Sequence, residues 1–207
     1  IFISVSLSYF LIKYSFATNY YLLLIFLILS IFSVAAAIKY TIGESPYGYK
    51  GLGDIFVFIF FGLISVMGSS FLYTLKLDFI LLPIAISLGL LCVGVLNLNN
   101  IRDIENDSKM NKKTIPTRIG FKNSKIYHYT LMSMPILMTF LWSANFEISI
   151  RYFFIIAAIF PIFFHIYKVR LAISPDKFKP LLKQLAISTF IYSILISIFL
   201  AYESILF

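Results

Sequence analysis

Residues 97–120 read NLNNIRDIENDSKMNKKTIPTRIG, a polar run set between two oily stretches. On a helix continuing past Asn97, Asn100, Asp103 and Asp107 stand at i, i+3 and i+7 and share one face within about a 60° arc. Two carboxylates and a carboxamide there offer hard oxygen ligands. These suit Mg²⁺, an ion that keeps several waters and takes its remaining ligands from substrate phosphates. Lys109, Lys112, Lys113 and Arg118 follow in the same run. They supply positive charge for the rest of a phosphate group, lysine as a point charge and arginine as a bidentate fork. The rival reading is a solvated loop whose acids and bases alternate only to keep it wet.

The elements that must position this run are helices in a bilayer. The chain is 60% hydrophobic and 13% charged, against an apolar share of roughly 45–50% in soluble domains. Residues 14–38, 55–75, 79–101, 126–146, 152–167 and 184–202 hold no Asp, Glu, Lys or Arg. Most of these runs reach the roughly 17–25 residues a spanning helix needs. Residues 1–12 add half a span, so the expected fold is an all-α polytopic bundle of about seven helices in a single domain over residues 1–207. The chain has 17 Lys and Arg against 9 Asp and Glu. Fourteen of those cations lie in the connections 39–54, 102–125 and 168–183, leaving only Lys13, Lys76 and Arg151 for the opposite side. That asymmetry places the three basic connections in the cytoplasm and accounts for the net charge by topology, so no nucleic-acid partner is expected.

Within this frame, GESPYGYKGLGD at 43–54 is glycine-rich enough for tight turns whose backbone amides can approach phosphate, though it also reads as an ordinary connector. Tyr47 and Tyr49 face either the interface or a substrate there, and Lys50 and Asp54 are placed to reach the same cavity. Gly62, Ser65, Gly68 and Ser69 give the next span a small-residue side for close helix approach. Pro83, Gly89 and Gly94 are expected to interrupt the helix that delivers Asn97, Asn99 and Asn100, and Pro135 and Pro161 to kink later ones. Cys92, the single cysteine, excludes an internal disulfide. His128 and His165 have no acidic companion nearby in sequence and read as packed or interfacial residues. The connection 168–179 is basic and amphipathic, suited to lie on anionic lipid or to close over the site.

The run NNIRDIENDSKMNKKTIPTRIG resembles the second aspartate-rich motif of the UbiA prenyltransferase superfamily. Its N-N-x-R-D-x-x-x-D opening is similar to the branch that prenylates 1,4-dihydroxy-2-naphthoate, as is the upstream YGYKGLGDIFVFIFFG at 47–62. The resemblance covers essentially the whole chain as the last seven helices of a nine-helix fold. It implies a multi-pass protein of the cell (inner) membrane with its active-site loops cytoplasmic. The implied reaction moves a polyprenyl group from polyprenyl diphosphate to 1,4-dihydroxy-2-naphthoate, with loss of CO₂, giving demethylmenaquinone. Carried over by position, Asn100, Asp103 and Asp107 hold a Mg²⁺ with Asn99 beside them. Asp103, Asp107 and Arg102 then form the catalytic group, and Lys112, Lys113, Arg118, Tyr47, Tyr49 and Lys50 bind substrate. Arg102, Lys112 and Arg118 serve either diphosphate or the acceptor carboxylate. The chain departs from the family at Asn111, where glycine is usual; asparagine also tolerates a left-handed backbone, so the turn is expected to survive. The family's first aspartate-rich motif is expected to precede Ile1. The chain thus reads as truncated at its N-terminus and as holding half of a metal site.

Two other readings share these features: a member of the same superfamily with another acceptor, such as hydroxybenzoate, homogentisate or haem, and a non-catalytic membrane protein or transporter. Transporters place ionisable groups near the midplane on broken helices, whereas here they gather at helix ends.

Overall fold

The computed structural model describes residues 2–41, 47–147, 149–150 and 152–204; the side chains of 41, 47, 203 and 204 lie outside that description. All regular structure among the described residues is helical. We number the helices α1 (Phe2–Ser15), α2 (Tyr20–Thr41), α3 (Gly53–Thr74), α4 (Leu82–Arg102), α5 (Ile104–Lys109), α6 (Ile115–Ser143), α7 (Tyr152–Leu171) and α8 (Phe178–Ser204). Apart from the six-residue α5, that is the expected set of seven, with α1 only 14 residues long. Five stretches, Tyr20–Tyr40, Gly53–Thr74, Phe79–Arg102, Tyr152–Leu171 and Pro175–Tyr202, are long and apolar enough to cross a bilayer. The chain is therefore an all-α, multi-pass membrane bundle.

The expected interruption of α4 does not occur. Asp78 caps the entry by accepting the Ile80 N–H at 3.1 Å, and Pro83 falls in the first helical turn, where its missing N–H costs nothing. Gly89 and Gly94 lie within an unbroken helix and serve packing. A Cβ at Gly62 on α3 would come within 2.6 Å of both the Gly89 Cα and the Ala85 carbonyl oxygen. Only glycine lets these two backbones touch. A Cβ at Gly94 would meet the Met132 Cε at 2.3 Å, so α6 packs into the space that residue leaves. Gly68 makes no such contact; a Cβ there would meet nothing nearer than Ile64 at 3.8 Å.

The prolines likewise do not decide where helices bend. α6 continues through Pro135, whose carbonyl accepts from Thr139 at 2.7 Å and, across the bundle, from Ser87 at 3.2 Å. It departs from helical geometry at Gly120 instead (φ 77°, ψ 166°), a left-handed conformation that favours glycine. Within α3, residues Phe58–Gly68 widen into π-helical turns, a local feature that no periodicity in the sequence announces.

α4 lies centrally, against α3, α6 and α8, with α7 packed on α8. Leu91, Leu98 and Ile101 of α4, Met132 and Trp142 of α6, Ile162 of α7, and Leu185 and Phe199 of α8 are fully buried. The three basic connections meet at one end of this bundle. The Lys113 N–H donates to the Tyr49 carbonyl (2.8 Å), Arg118 Nη2 to the Lys50 carbonyl (2.6 Å), and Lys125 Nζ to the Ala172 carbonyl (2.7 Å). The connection 168–179 docks on α6, where the buried Phe178 ring meets Phe121 edge-on at 5.7 Å.

Candidate active site

The polar run begins where α4 runs out of apolar surface. Its last turn carries Asn97, Asn99, Asn100 and Arg102, and at Asp103 the backbone leaves helical geometry (φ −96°, ψ 10°) before α5 starts. The continuous helix face expected for Asn100, Asp103 and Asp107 is thus interrupted at its middle residue. The axis survives the break, because the Asp103 N–H still reaches the Asn99 carbonyl (3.1 Å) and the Asp107 N–H the Asp103 carbonyl (2.8 Å). Burial separates the three side chains: Asn100 and Asp107 are 4% and 3% exposed, while the Asp103 side chain is about a third exposed (32%).

Each carboxylate is clasped by a cation of the run. Arg102 grips Asp103 in bidentate fashion, Nε to Oδ1 at 2.8 Å and Nη2 to Oδ2 at 2.6 Å, and the same Nη2 donates to Asn99 Oδ1 at 2.9 Å. These guanidinium bonds hold the Asp103 carboxyl below the usual carboxylate range. Lys112 Nζ donates to both oxygens of Asp107, at 3.2 and 3.1 Å, and lies 5.7 Å from the centroid of the Tyr49 ring. The loop that returns Lys112 turns on Asn111, whose φ is +54°. Asparagine therefore takes the left-handed backbone expected of it at this position.

Gly51 locks the second connection against the first. Its φ is +78°, and a Cβ there would lie 2.5 Å from the Lys113 carbonyl oxygen and 2.9 Å from Arg118 Nη2. Tyr49 and Lys50 thus join the site through their carbonyls, while the Lys50 and Lys113 side chains are exposed. Gly43, Glu44, Ser45 and Pro46, and the side chain of Tyr47, lie outside the described residues.

Apolar space adjoins the polar cluster. Asn99 lines a cavity of about 450 Å³ between α3, α4 and α8, together with Val57, Phe61, Cys92, Leu96 and Thr189. Val57 and Phe61 also line a second cavity of about 460 Å³ between α2 and α3, walled by Tyr40, Phe56 and Phe60.

Two constellations escaped the sequence reading. Asp54, in the first turn of α3 and 8% exposed, accepts a hydrogen bond from the Tyr127 hydroxyl at 2.9 Å, a partner 73 residues away. His128 and His165 are fully buried and face one another, Nε2 to Nε2 at 3.0 Å. They are packed, as expected, but as a pair. Asn97 Nδ2 lies 3.4 Å from the Ser124 carbonyl, which can only accept, and 3.3 Å from His128 Nδ1. That fixes the amide orientation, puts the His128 proton on Nε2 and makes His165 Nε2 the acceptor. The His165 proton is then on Nδ1, on the side of the Gln184 side chain; Nδ1 and Gln184 Oε1 are both buried, and their interaction falls short of full hydrogen-bond geometry. Sequence spacing carries no signal for either contact.

The donor set at the polar run fits a hard divalent cation. Among the described residues no cluster of three or more His, Cys, Asp or Glu is arranged to hold a metal. Asp103 and Asp107, with the carboxamides of Asn99 and Asn100, would therefore supply only part of a coordination shell. Mg²⁺ commonly accepts that share, completing its shell with water and phosphate oxygens.

A model of the UbiA prenyltransferase family matches residues 2–194. The 1,4-dihydroxy-2-naphthoate octaprenyltransferase of Haemophilus influenzae is 39% identical over 171 residues, which cover 82% of this chain and 55% of that protein. Its namesake in Escherichia coli is 50% identical over 107 residues, 52% of this chain and 35% of that protein. Human UbiA prenyltransferase domain-containing protein 1 is 32% identical over 108 residues, again 52% of this chain and 32% of the relative. The chain thus spans about half the length of the Haemophilus relative and about a third of the other two. No solved structure matches. Since the family match runs from α1 into α8 and includes the whole polar run, the chain belongs to the UbiA prenyltransferase family.

Proposed function

We propose that this chain belongs to a membrane-embedded aromatic prenyltransferase. The reaction transfers a polyprenyl group from polyprenyl diphosphate to 1,4-dihydroxy-2-naphthoate, releases CO₂ and diphosphate, and yields the hydroquinone demethylmenaquinol, which a separate two-electron oxidation converts to demethylmenaquinone. The observation that carries this reading is the adjacency of two opposites: paired acids and bases at the end of α4, and an apolar cavity that begins at Asn99. A prenyl diphosphate needs both.

In this reading Asp103, Asp107, Asn100 and Asn99 hold Mg²⁺, which when bound neutralises diphosphate charge as a Lewis acid. Arg102 and Lys112 hold the two carboxylates in place and, close to the diphosphate, offset the charge that builds on the leaving oxygens. Arg118 and Lys113 extend that positive field from the start of α6, with Lys50 opposite. Tyr49 faces the allylic carbon as it becomes electron-poor; an aromatic face offsets about 0.5–2 kcal/mol of such charge. The prenyl chain lies along Val57 and Phe61, which border both apolar cavities. Keeping water out of that space protects the reactive carbon. The polar end faces the cytoplasm in the cell (inner) membrane, following the rule that basic connections remain inside.

The test is reconstitution of the full-length protein in liposomes with polyprenyl diphosphate, 1,4-dihydroxy-2-naphthoate and Mg²⁺. Demethylmenaquinol, recovered as demethylmenaquinone after oxidation in air, and stoichiometric CO₂ are expected, and both disappear with EDTA. Turnover of hydroxybenzoate or homogentisate in place of the naphthoate assigns the chain to a different acceptor.

A further inference from the structure

We propose that Asp54, oriented by Tyr127, is the catalytic residue on the acceptor side. Its carboxylate binds the hydroxyl of an aromatic acceptor in the cavity between α3, α4 and α6, and holds that proton while the ring reacts. This inference builds on the aromatic-acceptor reading above.

Asp54 differs in kind from the other two aspartates near this end of the bundle. Asp103 and Asp107 each sit within 3.1 Å of a cation, whereas the partner seen for Asp54 is a neutral phenol, the Tyr127 hydroxyl at 2.9 Å. A cation cancels the charge of a carboxylate, whereas a neutral phenol orients it and leaves the charge unmatched. Asp54 is buried like Asp107 but without that residue's cation; taking a carboxylate out of water is costly, and a structural role could be met by an uncharged side chain. Tyr127 donates to Oδ2, and the backbone N–H of Asp54 itself also donates to the carboxylate. A carboxylate offers about four lone-pair sites, so these bonds fix the group without exhausting it.

The surroundings are those of a binding site. Asp54 and Tyr127 line a cavity of about 460 Å³ whose other walls include Phe58, Leu90, Val93 and Leu131. An apolar box with a few polar groups on one side is how proteins orient flat aromatic ligands. At the rim stands Gly51, and Arg118 Nη2 lies 2.9 Å from where a Gly51 Cβ would be. A hydroxyl at Asp54 and a carboxylate toward Arg118 describe a hydroxyarene carboxylate, the chemical class of the proposed acceptor.

The role follows from electron balance. As the acceptor O–H bond breaks, its proton passes to Asp54 and its electron pair enters the ring. The ring carbon bearing the carboxylate bonds to C1 of the prenyl chain while the C1–O bond to diphosphate breaks. When CO₂ leaves that carbon, the electron pair returns to the ring oxygen, which recovers its proton from Asp54. Prenylated hydroxyarene, CO₂ and diphosphate result, with no net proton exchanged.

The test uses membranes carrying the full-length protein at saturating polyprenyl diphosphate. Asp54→Asn keeps the shape and an oxygen for Tyr127, and is expected to lower kcat on the naphthoate by about 10²–10⁴-fold with KM for polyprenyl diphosphate nearly unchanged. Tyr127→Phe is expected to lower it by about tenfold, the effect of one orienting hydrogen bond. Both losses shrink on a ring-fluorinated naphthoate whose hydroxyl ionises more readily, a dependence that a packing defect does not produce. If Asp54→Asn fails to accumulate, Tyr127→Phe carries the same comparison between acceptors. Near-wild-type kcat in Asp54→Asn, or equal losses on the two acceptors, overturns the role of Asp54 and leaves the prenyltransferase reading standing. Failure of the wild-type protein to prenylate the naphthoate overturns both.

Discussion

Gly51 and Gly120 offer a matched pair for testing how the active end is held together. Their φ angles are nearly equal, +78° and +77°, and alanine is strained at both, by about 1–2 kcal/mol at Gly51 and about 1–3 kcal/mol at Gly120, whose ψ of 166° is open almost only to glycine. Their surroundings differ completely. A Cβ at Gly120 meets nothing within 4 Å, whereas at Gly51 it would sit 2.5 Å from the Lys113 carbonyl oxygen. That oxygen belongs to backbone and cannot swing aside. Relief requires the 47–51 turn to separate from the start of α6, forfeiting the Lys113-to-Tyr49 and Arg118-to-Lys50 hydrogen bonds at 2.8 and 2.6 Å. With about 0.5–1.5 kcal/mol for each bond, Gly51→Ala should weaken docking by about 2–5 kcal/mol in total. At 1.4 kcal/mol per tenfold, the docked population shifts by roughly 30-fold to several thousandfold. Hydrogen exchange at the Lys113 amide reads the docking directly, and prenyl transfer in membranes reads its consequence. Gly51→Ala is expected to lose protection and turnover together, while Gly120→Ala keeps most of both. Equal behaviour of the two variants would refute the steric reasoning, because their backbone angles cannot then be distinguished by what surrounds them.

Asp103→Asn and Asp107→Asn in the full-length protein should each lower Mg²⁺-dependent turnover by about 10²–10³-fold, the scale of losing a transition-state charge stabiliser; near-normal turnover in both counts against the metal role. For the buried histidine pair, His165→Gln retains an oxygen to accept from His128 and should unfold at higher temperature than His165→Leu. The leucine variant strands a buried N–H at a cost of about 1–3 kcal/mol, and a lower melting point for the glutamine variant would show the proton assignment to be wrong. Gly94→Ala places a methyl 2.3 Å from the Met132 Cε, the end of a flexible side chain that can turn aside, so a cost below about 1.5 kcal/mol is expected in thermal unfolding in detergent; a larger drop in the midpoint would mean that Met132 has no other rotamer open to it.

Some of the misread elements share a cause. The glycines of α4 were expected to break it because, judged locally, glycine weakens a helix by about 1 kcal/mol. Here it admits a neighbouring backbone at Gly62 and Gly89, and a neighbouring side chain at Gly94. Pro83 was judged without knowing where the helix begins, and one turn of shift makes it harmless. At Asp103 the bidentate grip of Arg102 coincides with the end of regular helix, and no helical projection anticipates that competition. The left-handed turn at Asn111, by contrast, was legible from residue type alone.

The sequence by itself determined the class of this protein, because hydrophobicity, span length and the sorting of cations are properties of short segments that a bilayer reads one at a time. It also determined that acids, amides and bases would gather at the end of one helix, since they are contiguous in the chain. Tertiary structure alone decided that Asp54 meets Tyr127 across 73 residues, that His128 meets His165 across 37, and that Gly51 seats the second basic connection on the first. Those contacts depend on the rotation and depth of each helix against its neighbours. Side-chain packing between distant segments sets both, and no local period encodes them.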